Sequence, residues 1–190
     1  RFTEKYPRVG DLATAPEDEV LKQWQGLGYY SRARNLHSTA KEIVLKHGGA
    51  FPKNYADIRS LKGIGDYTAA AITSFAWGLP HAVVDGNVYR LLARLFGLET
   101  PIDSVGGKKE FQQLADVLLD RKQAALHNQA VMEFGALYCR PKNPDCANCI
   151  FATRCLAYAA GKVHVLPVKA KKTKVRDRYF NYLVLIDKKG

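Results

Sequence analysis

Apolar residues recur at intervals of three and four until about residue 160, which is the pattern of amphipathic α-helices. The clearest stripe ends at the glycine pair 48–49, which predicts a helix end there. Its members are Ala33, Leu36, Ala40, Ile43 and Val44. The same pattern predicts a short helix at Tyr55, Ile58 and Leu61, and later helices at Thr68 to Trp77, Asn87 to Phe96, Lys108 to Leu119 and Ala124 to Leu137. An all-α domain is therefore expected.

The start of an earlier helix is predicted at residue 14. Thr14 and Glu17 have the spacing of a capping box, in which each side chain accepts a hydrogen bond from the other residue's backbone N–H. The apolar residues that follow fall on one helical face: Val20, Leu21, Trp24 and Leu27. These stripes are interpreted as core faces, and no chemistry is assigned to them.

The pattern changes after residue 160. Residues 161–178 are rich in lysine and arginine and have few large apolar side chains, which predicts a basic linker suited to lie against phosphate. Tyr179 to Ile186 is aromatic and β-branched, which predicts a strand. Because one strand cannot form a domain, residues 179–190 are interpreted as the start of a second domain that this chain does not complete.

The charge balance favours a polyanionic partner. Lysine and arginine total 29 against 18 acidic residues, a formal net charge of +11, and DNA or RNA is the default candidate. A solvated basic surface with no specific partner is the alternative. No apolar run reaches membrane-spanning length, so no membrane partner is expected. Reduced cysteines and basic charge together predict a cytoplasmic location, in the cytosol or at the nucleoid.

All four cysteines fall within one 17-residue window with the spacing C-x6-C-x2-C-x5-C. They are Cys139, Cys146, Cys149 and Cys155. Such a grouping indicates thiolates around one soft metal centre, and the two middle cysteines are too close for a relaxed disulfide. Ligand chemistry alone leaves both an iron–sulfur cluster and a structural zinc site open.

A tight turn is predicted where Gly63, Ile64 and Gly65 separate two helices. Glycine leaves the turn's amides unobstructed, and the next helix offers its N-terminal N–H groups and the positive end of its dipole. Together these groups suit a phosphate oxygen. For two glycines alone, an ordinary helix–helix turn would be the better interpretation.

The glycine turn resembles a helix–hairpin–helix, and the apolar run 82–84 ends downstream in Asp85. This combination resembles the helix–hairpin–helix DNA glycosylase superfamily, and the cysteine window resembles the cluster loop of its endonuclease III-like branch. The segments Gly28 to Leu36 and Asp85 to Val88 resemble the adenine DNA glycosylase (MutY) family in particular. The resemblance covers essentially all 190 residues.

The resemblance implies a 4Fe–4S cluster on the four cysteines and a defined domain order. That order is a helical glycosylase domain at 1–138, the iron–sulfur loop and its following helix at 139–160, the basic linker at 161–178, and the start of a truncated Nudix-like domain at 179–190. It also implies that an N-terminal helix with a general-acid Glu precedes this chain. We therefore expect the fragment alone to lack that acid.

The resemblance assigns the chemistry to three residues. Breaking an N-glycosidic bond builds positive charge on the sugar, which a nearby carboxylate stabilises. Asp85 matches the superfamily's carboxylate, although Asp also suits a helix N-cap. Tyr67 occupies a position where the lyases of the superfamily carry Lys, and a phenol cannot form a Schiff base. A monofunctional reaction is implied, with Tyr67 and Asn87 beside Asp85.

The resemblance also implies contacts with DNA. Tyr29 matches an aromatic residue that fills the space left by a flipped base, and Arg32 of the same motif is assigned to DNA binding. The hairpin residues Gly63, Ile64 and Gly65 are assigned to phosphate. Gln129 matches a position that contacts the flipped adenine, since an amide offers both a donor and an acceptor.

The implied function is a monomeric glycosylase that removes adenine mispaired with 8-oxoguanine or guanine from double-stranded DNA. One alternative is an endonuclease III-like glycosylase with lyase activity, which Tyr67 disfavours. Another is a non-catalytic DNA-binding iron–sulfur module, for which Asp85 would be dispensable. An electron carrier would leave the hairpin and the positive charge without a purpose.

Overall fold

The computed structural model describes residues 1–170 and 179–183. Those residues contain ten α-helices, one 3₁₀ turn at Ala152–Arg154 and no β-strand, so the predicted all-α class is confirmed for this part of the chain. The helices are α1 Phe2–Lys5, α2 Val9–Thr14, α3 Glu17–Gln23, α4 Ser31–His47, α5 Tyr55–Ser60, α6 Asp66–Trp77, α7 Gly86–Leu95, α8 Val105–Leu118, α9 Ala124–Leu137 and α10 Leu156–Ala159.

The observed helix ends follow local chemistry. Helix α4 ends where predicted, because Gly48 adopts the left-handed conformation with φ of 59°. Helix α9 has the predicted bounds. Helix α8 begins at Val105, earlier than the predicted Lys108, because the Ser104 hydroxyl accepts a hydrogen bond from the N–H of Gly107 at 2.9 Å.

The predicted capping box at residue 14 is wrong. Thr14 is the last residue of α2, and its hydroxyl donates to the carbonyl of Gly10 at 3.0 Å. Pro16 occupies the N-cap of α3 instead, with φ of −62° and ψ of 140°. A proline has its φ fixed near this value and cannot continue the preceding helix, so it sets the break between α2 and α3.

Two buried clusters form the core. The smaller joins α2, α3 and α4, and consists of Leu12, Ala13, Val20 and Ala40. The larger lies among α7, α8, α9 and α10, with Phe111 fully buried at its centre. Residues 82–84 belong to the larger cluster through Ala82 and Val84, which anchors the chain just before α7. No helix in the described residues is long and apolar enough to cross a membrane.

Residues 161–170, the described portion of the predicted linker, pack against the helical core. Leu166 is buried, and the carbonyl of Val168 accepts from the N–H of Ile102 at 3.0 Å. Residues 171–178 lie outside the described residues. Of the predicted strand, residues 179–183 carry no strand assignment, and residues 184–186 lie outside the described part as well.

Candidate functional site

Asp85 is the N-cap of α7 and its carboxylate is held on both oxygens. Oδ1 accepts from the backbone N–H groups of Asn87 and Val88, each at 2.8 Å, and Oδ2 accepts from the Asn87 side-chain amide at 3.0 Å. These bonds fix one orientation of a partly buried carboxylate at the positive end of the helix dipole. The capping role and the candidate catalytic role therefore coincide.

A hydrogen-bonded chain leads from Asp85 to the cysteine loop. Arg90 Nη2 donates to Asn87 Oδ1 at 2.8 Å and to the carbonyl of Gly135 at 2.6 Å, and its Nε donates to the carbonyl of Cys139 at 2.7 Å. Because guanidinium only donates, the Asn87 oxygen must face Arg90 and its NH₂ must face Asp85. Burial lowers the pKa of Arg90, and the three acceptors compensate its charge.

Gly135 allows α9 to come close to α7. A Cβ atom added there would lie 2.7 Å from the carbonyl oxygen of Asn87, closer than real Cβ contacts allow. The close approach places the α9 carbonyl within reach of Arg90. Glycine at this position is therefore a requirement of the site, and its role is invisible in the sequence pattern.

Tyr67 lies in the first turn of α6, about half exposed. It lines a crevice of about 730 Å³ together with Val84, the residue immediately before Asp85. The lining of the crevice includes neither Asp85 nor Asn87, and the placement of Tyr67 beside Asp85 stays a prediction.

The hairpin is fixed by contacts that the sequence analysis missed. Gly63 has φ of 79°, and a Cβ there would lie 2.5 Å from the Asn35 side-chain nitrogen. The hydroxyl of Thr39 donates to the carbonyl of Lys62 at 3.0 Å, and Arg59 Nη1 donates to the carbonyl of Ile64 at 3.1 Å. The turn is therefore held from α4 and α5.

The N-terminus of α6 has no side-chain cap. Its N-cap is Gly65, whereas the side chains of Asn54, Asp85 and Ser104 cap α5, α7 and α8. Arg59 Nε lies 2.5 Å from Asp66 Oδ1, and this hydrogen bond holds the pKa of Asp66 below its usual range. The uncapped first turn leaves the N–H groups of α6 suited to an anion.

Tyr29 is presented to solvent by a turn in left-handed backbone. Gly26 and Gly28 have φ of 89° and 68°, Tyr29 itself has φ of 48°, and its side chain is 82% exposed. The indole N–H of Trp24 donates to the carbonyl of Gly28 at 3.1 Å. The Arg32 guanidinium lies 5.5 Å from the centre of the Trp24 ring and 5.6 Å from the centre of the Tyr29 ring. These two cation–π contacts stabilise the turn.

Gln129 lies on the exposed face of α9, where its amide donates to Glu133 Oε1 at 2.7 Å. Its neighbour Asn128 is buried. The described contacts do not join Gln129 to the Asp85 network. Its assignment to the flipped base stays a prediction.

The four cysteines are unbridged and line one cavity of about 30 Å³ between α7, the end of α9 and α10. They are Cys139, Cys146, Cys149 and Cys155. Within residues 1–170 and 179–183, no three His, Cys, Asp or Glu side chains form a group that could hold a single metal ion. Burial raises the pKa of Cys146, and the neighbouring cysteines raise it further.

A buried cation lies against this cavity. Arg94 is 3% exposed, and its guanidinium donates to the carbonyls of Arg140 at 2.7 Å, Leu166 at 3.1 Å and Pro141 at 3.3 Å. Its Nη1 also lies 3.5 Å from Cys139 Sγ. The donor set, four cysteine sulfurs around one cavity beside a buried cation, therefore fits a soft metal centre.

Arg90 and Arg94 were missed because polar residues on a helix are ordinarily assigned to its solvent face. The available signal was their spacing. They stand one turn apart on α7, interleaved with the apolar residues Leu91, Leu92 and Leu95 and directly after the Asp motif. Charged residues in such a stripe are buried only when paired.

Comparison with known proteins identifies the class. Residues 1–117 match the HhH-GPD superfamily of base excision DNA repair proteins. The chain therefore belongs to this superfamily, which confirms the resemblance read from the hairpin and Asp85.

Several curated relatives are named adenine DNA glycosylase. The protein of that name from Buchnera aphidicola subsp. Baizongia pistaciae is 34% identical over 97% of this chain and 55% of its own length. The mouse protein is 39% identical over 88% of this chain and 33% of its own length. The human protein is 40% identical over 82% of this chain and 29% of its own length. The chain thus spans about half, or less, of these relatives' lengths.

Solved structures agree with this fold. A thermostable thymine-DNA glycosylase superposes with a TM-score of 0.77 at 31% identity, over 84% of this chain and 73% of that one. A non-covalent endonuclease III–DNA complex superposes with a TM-score of 0.72 at 25% identity, over 85% of this chain and 74% of that one.

Replacing Gly63 by alanine should destabilise the hairpin. The added Cβ meets Asn35 at 2.5 Å, and left-handed backbone costs a non-glycine residue about 1 kcal/mol before that clash is counted. The free energy of unfolding, measured in urea, should fall by at least this amount. Gly10→Ala is the control, because a Cβ there has open space within α2 and should stabilise the protein slightly. Equal effects of the two substitutions would contradict the hairpin geometry.

Replacing Arg94 by methionine should lower the free energy of unfolding by about 3 kcal/mol, because buried carbonyls lose their donors. Arg121→Met, at an exposed position, should change it by less than about 0.5 kcal/mol. Chemical denaturation followed by circular dichroism measures both. If Arg94→Met is as stable as Arg121→Met, the guanidinium does not hold the cysteine loop.

Proposed function

We propose that this chain forms the catalytic helical part of an adenine DNA glycosylase, which removes adenine mispaired with 8-oxoguanine or guanine. The observation that carries the proposal is the Asp85 carboxylate, fixed by three N–H donors at the start of α7 beside the crevice that Tyr67 lines. Relatives from bacteria, animals and plants that share the adenine DNA glycosylase name support the choice of base.

Asp85 stabilises the positive charge that develops on the sugar as the bond to adenine breaks. A carboxylate has about four lone-pair sites, so three N–H donors leave acceptor capacity for the reacting sugar. Asn87 positions the carboxylate, and Arg90 in turn positions Asn87. Proton delivery to the departing adenine is assigned to no residue of this chain.

Tyr67 makes the reaction monofunctional. A phenol forms no imine with the sugar, so water completes the reaction and leaves an abasic site without strand cleavage. The half-exposed position of Tyr67, in the crevice that Val84 also lines, supports a role in shielding the charged sugar.

Double-stranded DNA binds through the hairpin and the Tyr29 turn. Gly63, Ile64 and Gly65 offer backbone groups to a phosphate, which the uncapped N-terminus of α6 and the net charge of +11 support. The exposed Tyr29 side chain inserts into the base stack where adenine is flipped out. The Arg32 guanidinium supports the Tyr29 ring through a cation–π contact.

The base itself is contacted by Gln129. Its exposed amide on α9 has the donor and acceptor that the edge of adenine requires. The hydrogen bond with Glu133 would be exchanged for bonds to the base.

Cys139, Cys146, Cys149 and Cys155 would hold a 4Fe–4S cluster. When bound, such a cluster supplies a redox-active, negatively charged centre and cross-links the loop. The chain's own contribution is Arg94, whose buried cation compensates negative charge at the thiolates, and Arg90, which ties the loop to Asn87.

The organisation of the full protein follows the same proposal. It acts as a monomer in the bacterial cytoplasm, at the nucleoid, and residues 179–190 begin a Nudix-like domain that recognises the oxidised guanine. The basic composition of the chain, with 29 lysine and arginine residues, supports a location on DNA.

Replacing Asp85 by asparagine in the full-length protein should abolish adenine removal and leave duplex binding within about threefold, because the lost charge stabilises the transition state only. Single-turnover cleavage of a duplex with adenine opposite 8-oxoguanine, read after alkali, measures the rate. Asp18→Asn, an exposed position on α3, is the matched control.

Each alternative function predicts a different result in this experiment. A lyase would break the strand without alkali and would be trapped on DNA by borohydride. A pure binding module would hold the duplex tightly and give no breaks in any variant. Either outcome would overturn the proposed function.

Metal analysis of the purified protein should give about four iron ions and four inorganic sulfides per chain, with visible charge-transfer absorption. Cys149→Ser should lower the iron content and the absorption together, because it removes one ligand. Ser104→Ala, which removes a hydroxyl from the cap of α8, is the control and should leave iron content unchanged. One zinc ion and no sulfide would identify the structural zinc alternative.

A further inference from the structure

The segment between α6 and α7 is neither helix nor strand, and its last three residues before Asp85 are buried. It runs from residue 78 to residue 85, and Ala82, Val83 and Val84 are each less than a tenth exposed. Buried backbone N–H and C=O groups need hydrogen-bond partners, and no strand in the described residues supplies them. Other groups must therefore satisfy this segment, which ends in Asp85.

A buried side-chain amide on α9 supplies two of these partners. Asn128 Oδ1 accepts from the N–H of Val83 at 3.0 Å, and its Nδ2 donates to the carbonyl of His81 at 2.9 Å. Nδ2 also donates to the hydroxyl of Ser74 on α6 at 2.8 Å. Asn128 itself is 3% exposed. One amide thus pairs with the segment on both a donor and an acceptor, as a neighbouring strand would.

A second amide holds the residue in between. Gln112 Nε2 on α8 donates to the carbonyl of Ala82 at 3.2 Å, and to Asp116 Oδ1 at 3.2 Å. Consecutive backbone groups from His81 to Val83 are therefore fixed by side chains from two helices. The bonds to Asp85 described above come only from α7, which follows it in the chain.

We infer that Asn128 is a positioning residue for the reaction of Asp85, with Gln112 as a weaker partner. This inference rests on the proposed function. Asn128 fixes the backbone at Val83, two residues before Asp85 in the chain. The first residues of α7 fix Asp85 from the residues that follow it. A misplacement of about 1 Å at a reacting group costs about 100-fold in rate, so loss of the upstream anchor should act on the chemical step.

The position of Asn128 in the sequence strengthens the inference. It directly precedes Gln129, the residue proposed to contact the flipped adenine, and the two side chains leave α9 on its buried and exposed faces. Through Asn128, the same helix sets the location of the carboxylate. Helix α9 would then set the position of Gln129, which contacts the base, relative to Asp85, whose charge faces the sugar.

The test compares Asn128→Ala with Ser74→Ala in the full-length protein. Asn128→Ala removes all three bonds of the buried amide, including both bonds to the segment 81–83, whereas Ser74→Ala removes only the bond between Asn128 and Ser74. Single-turnover adenine removal by Asn128→Ala should fall about 100-fold with duplex binding changed less than about threefold. Ser74→Ala should stay within about threefold of the parent rate. Gln112→Met is the second variant, should Asn128→Ala not fold, and should lower the rate about tenfold.

Backbone hydrogen exchange of residues 79–88 provides a readout that does not depend on activity. Protection of the Val83 N–H should be lost in Asn128→Ala and kept in Ser74→Ala. If the two variants lose rate equally, or if Asn128→Ala keeps both rate and protection, the inference is overturned. If the parent protein removes no adenine, the proposed function fails, and the exchange data alone decide whether Asn128 holds the segment.

Discussion

Two guanidinium groups on α7, Arg94 buried and Arg90 partly buried, are the interaction on which this site depends. Arg90 and Arg94 stand one turn apart, and between them they donate to backbone carbonyls at the end of α9, in the cysteine loop and at Leu166. A buried charge without partners is strongly unfavourable, so α7 and the loop each require the other's conformation. Because Asp85 is the N-cap of α7, the contacts that fix α7 also fix the position of the Asp85 carboxylate.

The polar network around α7 explains why the carboxylate is held so tightly. Asn87 can bind Asp85 only if its oxygen is satisfied, and Arg90 provides that donor. Arg90 reaches Asn87 and α9 at once because Gly135 lets the two helices approach. Asn87 and Val88 therefore hold the carboxylate directly, and the packing of α9 against α7 fixes the Asn87 side chain in turn.

Much of the helical frame could be predicted from the sequence, because periodicity and glycine stops are local signals. The end of α4 at Gly48 and the bounds of α9 follow from them. The capping box at Thr14 failed because Pro16 ends one helix and begins the next. Arg90 and Asn128 could not be found this way, since their partners lie about 45 residues away along the chain.

Side-chain amides take the place of a β-sheet in this part of the molecule. The non-helical segment that leads to the Asp85 carboxylate passes through the core at Ala82, Val83 and Val84. The backbone of that segment has no strand to pair with in the described residues, so Asn128 and Gln112 pair with it instead. Each amide comes from a helix remote in sequence, and so the segment that leads into Asp85 is tied to the packing of α8 and α9.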